Sequence, residues 1–243
     1  MYHEKPRLFS RIAAMALVAI MACCMFASAY EGYRQTLYGD NGRYTAFSGL
    51  YVNGTRAHGV TYLHTDDFRK VDAGVLQAQA TLVYADNGAV FYESKIAKNS
   101  ANTAETMADT QYRSALRTAC SIGWASVESS PFIRLPTCYE GDNYTRSAEI
   151  ESQLAALAEK TLTEDNAYPV NAAGETYGSI LLADMVGEEP DLIYAVNQDD
   201  VYGYIRLEDI TNANPVFARA ATPAYALYDV DGNVIGSFEI GGV

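Results

Sequence analysis

Val75-Leu76-Gln77-Ala78-Gln79-Ala80-Thr81-Leu82-Val83-Tyr84 alternates in polarity. Leu76, Ala78, Ala80, Leu82 and Tyr84 fall on one side, and Gln77, Gln79 and Thr81 on the other. A period of two over this length predicts a half-buried β-strand. Asp86-Asn87-Gly88 supplies the residue types of a tight hairpin turn, where Gly takes φ > 0. Residues 89–97 then predict the partner strand. Outward from this hairpin, residues 44–52 and 57–63 are short Tyr- and Val-rich runs separated by Asn53-Gly54. Residues 117–127 read as a strand carrying Cys120 and Trp124, and Pro131 and Pro136 bracket another. Residues 99–110 are small and polar and read as a long loop. Short strands with turn signals at this spacing predict a β-sandwich-like domain over residues 30–146.

Residues 147–164 predict one connecting helix, assigned to 147–165 with its polar stop. Ser147 is its N-cap, Glu149 and Glu151 lie in the first turn, and Ile150, Leu154 and Leu157 form an apolar stripe. Residues 166–243 return to β structure, with strands at 191–196 and 201–206 and a C-terminal hairpin, 225–230 and 233–240, around Asp231-Gly232. The expected class is mainly β: a sandwich-like domain, a helix and a small β module.

The N-terminus has a different character. Lys5, Arg7 and Arg11 precede the apolar run 12–26, and Ala27-Ser28-Ala29 supplies a small-x-small site. This is the pattern of a secretory signal peptide over residues 1–29, with Ala27 and Ala29 flanking the cleavage position before Tyr30. Two other readings are an uncleaved anchor, since residues 12–30 approach the about 20 residues that span a bilayer, and lipidation at Cys23. Membrane contact is expected only if this segment is retained. Export leaves Cys120 and Cys138, with seventeen residues between them. Two cysteines this close in an oxidising compartment predict a disulfide contributing about 3 kcal/mol.

Charge separates the two halves. The chain has a formal net charge of −13, and its low pI excludes the basic face a nucleic-acid binder needs. Residues 30–147 hold 12 acids and 11 bases, whereas residues 148–243 hold 17 acids and 3 bases. The acidity therefore belongs to the helix and the C-terminal module.

Four segments form an ordered series: 171–178 (Asn171 to Gly178), 189–193 (Glu189-Pro190-Asp191-Leu192-Ile193), 203–210 (Gly203 to Ile210) and 227–236 (Leu227 to Gly236). The series resembles the C-terminal module of a family of uncharacterised secreted proteins of Gram-positive bacteria, some of which carry a BlaR1-like label. Upstream, Ala78-Gln79-Ala80, Asn87-Gly88-Ala89-Val90 and Ser121-Ile122-Gly123 resemble the N-terminal half of the same proteins. The resemblance implies an extracellular Gram-positive setting and carries over no catalytic residue. Cys120 and Cys138 depart from its pattern, and no Ser-x-x-Lys is present to support a penicillin-sensing role.

Three sets of residues could carry chemistry. His58, His64 and Asp66 could supply two imidazoles and a carboxylate to zinc, although the spacing matches no common signature. Asp229, Asp231 and Asn233 resemble the start of a calcium loop, but Gly232 stands where the EF-hand pattern places it two residues later, and the sequence reads more simply as a hairpin turn. The tyrosines, 19 in all, fit sheet positions, with an aromatic platform for glycans or peptides as the alternative. The leading expectation is a non-catalytic secreted or envelope-associated interaction protein with a cell-wall, glycan or protein partner. It needs no cofactor and meets no nucleic acid. One alternative is a calcium- or ligand-binding extracellular sensor module, and another is a metal-dependent hydrolase using His58, His64 and Asp66.

Overall fold

The computed structural model describes residues 27–115, 117–141, 147–212 and 223–241. The chain runs β1 (Ala27–Glu31), β2 (Gln35–Gly39), β3 (Gly42–Asn53), β4 (Arg56–Thr65), β5 (Leu76–Tyr84), β6 (Val90–Glu93) and β7 (Ala97–Lys98). It continues through β8 (Glu105–Asp109), β9 (Arg113–Ser114), β10 (Ala119–Val127), β11 (Ile133–Arg134), β12 (Cys138–Tyr139) and helix α1 (Ala148–Thr161). Then come β13 (Tyr177–Gly178), a 3₁₀ turn (Ile180–Leu182), α2 (Ala183–Val186), β14 (Leu192–Val196), β15 (Tyr202–Arg206), α3 (Leu207–Thr211), β16 (Ala224–Tyr228) and β17 (Val234–Glu239). The protein is mainly β, as the alternation in its sequence predicts.

Two sheets account for these strands. In the first, β3 and β4 are central; β1 and β2 share the free edge of β3, and β8 and β9 that of β4. In the second, the path runs β11-β10-β5-β6-β14-β15-β16-β17, with β12 on β10, β7 on β5 and β13 on β14. This sheet holds strands from before and after α1, joined where Val90 of β6 meets Ala195 of β14 in parallel.

The sheets pack closely because their facing positions are small. A Cβ on Gly123 would lie 2.8 Å from Thr61 Oγ1 and 2.9 Å from Ser48 Oγ. Hydroxyls therefore fill part of the interior and bond across it. Ser48 Oγ accepts from Gly123 N–H (2.9 Å), and Thr61 Oγ1 donates to the Gln79 carbonyl (2.8 Å). Buried hydroxyls with such partners avoid the penalty of unsatisfied polar groups.

The opposite face of the second sheet carries the larger apolar core. Cys120, Ile122 and Trp124 of β10 meet Ile150, Leu154 and Leu157 of α1 and the core-facing residues of the C-terminal strands. Helix α1 begins as predicted: the Ser147 side chain accepts from Ile150 N–H. Arg134 of β11 pairs with Asp184 and Glu189, tying the α2 segment to the sandwich.

Three expectations change. First, β5 is buried on both faces, not one: Gln79 and Thr81 are as inaccessible as Ala78 and Ala80. Alternation reported the chemistry of the two faces, and a second layer covers the polar one. Second, the expected loop over 99–110 contains β8. As an edge strand it buries Ala108 and leaves Glu105, Met107 and Asp109 exposed, so little apolar signal reaches the sequence. Third, no Cys120–Cys138 disulfide forms. β12 pairs with β10 so that Cys120 opposes Tyr139 and Ser121 opposes Cys138. Neighbouring residues of a strand point to opposite faces, so Cys120 joins the helix-side core and Cys138 the sandwich interior. Cβ vectors that diverge in this way cannot be bridged.

The signal-peptide reading lies outside the described residues up to residue 26. Ala27 and Ala29 belong to edge strand β1, opposite Asn53 and Tyr51 of β3. Among the described residues, no helix is long and apolar enough to cross a membrane.

Candidate functional site

The residues suggested for metal binding are held separately. His58 and His64 share one face of β4 but stand six residues apart, about 20 Å along an extended strand. The His58 Nε2 lies 3.5 Å from Asp109 Oδ1, and its ring packs between Tyr51 and Tyr112. Burial holds its pKa below the usual value despite Asp109. His64 stacks on Phe68. Asp66 accepts from Thr45 Oγ1 (2.6 Å) and from Arg43 (2.9 Å and 3.0 Å), which together hold its carboxyl below the usual range. These three residues therefore form no common ligand set.

Asp229 acts as the clasp of its turn. Its carboxylate accepts from the N–H groups of Asp231 (3.0 Å) and Asn233 (2.8 Å) and from the Asn233 amide (3.0 Å). Its lone pairs are directed at donors within the hairpin. Two nearby acidic residues are also engaged within the fold. Asp191 accepts from the Thr176 N–H and hydroxyl, and Glu175 pairs with Arg206. Among the described residues, no three His, Cys, Asp or Glu side chains converge as a metal site would require.

Tyrosines do converge. β14 is covered along one edge by β15. Its other edge meets β13 at Leu192 and Ile193, and β6 at Ala195. Tyr194 lies between these two contacts. The separation of β6 from β13 opens a slot of about 480 Å³, lined by Tyr177, Tyr194, Tyr204, Asp86, Asn87 and Lys160 among others. Alternation sends Ile193, Ala195 and Ile205 into the core and leaves Tyr194 and Tyr204, which pair across the strands, on the opposite face. Their rings are 5.7 Å apart and tilted by 52°. Tyr177 meets Tyr204 edge-on at 5.7 Å, and Tyr202 stacks on Tyr194 at 5.8 Å. Burial, with Tyr177 and Tyr194 adding to it, pushes the Tyr204 phenol up to about 12, so it is a neutral hydrogen-bonding group at physiological pH.

The wall of the slot is the hairpin turn between β5 and β6. Ser179 Oγ donates to the Gly88 carbonyl (2.9 Å), fastening that turn to the end of β13. Beside it, Arg117 sits 5.3 Å over the Tyr84 ring and 3.5 Å from Asp86, while Tyr84 stacks on Phe91 at 4.0 Å. The turn requires Gly88: its φ is +70°, and a Cβ there would lie 2.5 Å from Ser179 Cβ and 2.9 Å from Leu157. Gly88→Ala is expected to destabilise the protein by at least about 2 kcal/mol, combining left-handed strain with overpacking. Thermal denaturation of the variant checks this; an unchanged Tm would show that the turn can shift freely.

A second aromatic surface covers the outer face of the first sheet. Phe47 stacks on Tyr62 at 4.9 Å, and Arg34 lies 4.6 Å over Phe47. Phe68 and Met107 are exposed beside them. This surface forms a larger, shallower concavity of about 950 Å³.

From the sequence, the tyrosines read first as sheet-packing residues, with an aromatic platform as the unlocated alternative. The pairing of Tyr194 with Tyr204 depends on strand register, and the approach of Asp86 and Asn87 to the tyrosines depends on contacts across 90 or more residues of chain. Neither is a local property of sequence. Comparison with protein-family models, curated proteins and solved structures gives no match for this chain.

Proposed function

We propose that this is a non-catalytic, secreted or envelope-associated binding protein that holds its ligand in the tyrosine slot of the second sheet. The observation that carries the reading is the grouping of Tyr177, Tyr194 and Tyr204 with Asp86, Asn87 and Lys160 in one concavity. Apolar ring faces with a few converging polar groups are the usual composition of a ligand site. Tyrosine suits this role because a rigid ring loses little entropy on contact and its hydroxyl adds a directional bond. The extracellular setting rests on the basic, apolar and small-residue segments of the first 29 residues and on the resemblance to secreted Gram-positive proteins.

The reading is tested by retention of the protein on insoluble cell-wall material. The unaltered chain should be retained, and the Tyr194→Ala/Tyr204→Ala variant should lose affinity by about tenfold or more, since central aromatic anchors dominate binding energy. Equal retention of a folded double variant would overturn the assignment of binding to this slot.

A further inference from the structure

We infer that the ligand of the tyrosine slot is an uncharged glycan, held with its sugar rings against the faces of Tyr194 and Tyr204. This rests on the slot being the binding site, and three features narrow the ligand.

The first is the presentation of the rings. Tyr194 and Tyr204 are partly exposed, and their 52° tilt offers two differently angled faces within 5.7 Å. An aromatic face carries the negative lobe of the ring quadrupole. The C–H face of a pyranose is polarised positive by its oxygens and complements it. The hydroxyls around a sugar ring then meet polar groups at the rim. Asn87 supplies an amide, Asp86 a carboxylate and Lys160 an ammonium. The neutral Tyr204 hydroxyl can both donate and accept. A ligand with an apolar face and a hydroxyl edge uses both sets of groups.

The second is the geometry of the edge. Strand addition would require a run of open backbone groups. β14 is open only around Tyr194, because β13 and β6 occupy the positions on either side. An extended peptide therefore has no ladder to join.

The third is charge. Residues 148–243 carry 17 acids against 3 bases. Such a field repels polyanions and favours polycations only through salt-sensitive attraction. The slot is lined by one cation, Lys160, and one anion, Asp86, whose carboxylate lies beside Arg117. No excess of either sign lines the cavity, and an uncharged ligand meets least resistance.

The test is calorimetric titration of the full chain at low and high salt. The probes are cellohexaose and N-acetylglucosamine hexamer as neutral glycans, a uronic-acid oligomer as an anionic glycan, and proline-rich and lysine-rich peptides. At least one neutral glycan should bind with an affinity that salt leaves nearly unchanged. Tyr194→Ala should weaken it at least about tenfold, and Tyr194→Phe, which keeps the ring face, much less. A matched Tm for these variants separates lost contact from lost fold. Tighter, salt-dependent binding of the uronic-acid oligomer would overturn the uncharged assignment. Binding of a peptide alone, weakened by Tyr194→Ala, would overturn the glycan assignment and leave the slot as the binding site. If none of the probes responds to Tyr194→Ala, both readings fall.

Discussion

Stability should fall as pH rises from 4.5 towards about 8, and Glu93→Gln should remove most of that fall. Glu93 is wholly buried on β6, and loss of solvation pushes its carboxyl from an ordinary 4.5 up to about 8, against a lowering contribution from Thr81. Oε1 accepts from Thr81 Oγ1 (3.2 Å), while Oε2 and the nearby Gln79 Oε1 are both buried without a hydrogen-bond partner. Among the described residues, no cation acts on it. Thr81 faces it from β5, Trp124 lies behind Thr81 on β10, and Tyr225 of β16 lies between Glu93, Gln79 and Asp209 of α3. In this interval the folded chain retains a proton that the unfolded chain has released. Stability is therefore fully present below pH 4.5 and is lost as pH rises through the folded value, by about 1.4 kcal/mol per pH unit and on the order of 5 kcal/mol in all. Burial raises Asp209 in the same direction. Asp66, Glu128 and Asp229 have lowered values and act oppositely: their contributions are present above the ordinary carboxylate range and disappear in acid. Urea denaturation across this range should show the fall in the unaltered protein and a markedly shallower slope in Glu93→Gln, whose amide cannot ionise, with the remaining dependence left to groups such as Asp209 and His58. The same slope in both would assign the dependence to other groups.

Glu93 also marks where β6 meets the residues that follow β17. Its carbonyl accepts from Gly241 N–H (2.7 Å), and it forms a parallel bridge with Ile240 just beyond β17. Ionisation at this position would place an unpaired charge in the seam between β6 and the C-terminus. The neutral acid is the form this packing accommodates.

Much of the strand order follows from local chemistry, and its limits follow from nonlocal packing. The alternation over 75–84 located β5, and Asn87-Gly88 located its turn. Gln79 and Thr81 nevertheless looked like solvent-facing residues. What buries them is a layer formed by residues such as Tyr225, nearly 150 positions away. The same limit explains the cysteines: their spacing permits a loop, but a one-residue register between β10 and β12 turns the two side chains apart. It also explains the slot, whose tyrosines were visible as a composition and became a site only through the gap between β6 and β13. Ser147, by contrast, capped α1 as expected because a cap is decided by its own three or four residues.

Trp124→Ala should destabilise the protein by about 3–5 kcal/mol, the range for emptying a buried aromatic site. The indole is 2% exposed and sits in the core between β10 and the helix side. Its Nε1–H donates to Thr81 Oγ1 (3.1 Å), and the Thr81 hydroxyl donates onward to Glu93. Trp124 thus contributes both volume and the first donor of a buried polar chain. Trp124→Phe separates these roles. It keeps most of the apolar contact and removes the donor, for an expected cost of about 1–2 kcal/mol from the lost bond, with any reduction in ring volume adding to it. Because the chain ends on Glu93, Trp124→Phe and Glu93→Gln should be non-additive by at least about 0.5 kcal/mol. Denaturant unfolding followed by circular dichroism measures all four members of that cycle, which avoids reliance on the single tryptophan's fluorescence. Strict additivity would mean that Thr81 bonds to each neighbour independently. Coupling would show that the strand first recognised by its alternation transmits the state of Glu93 to the core beneath α1.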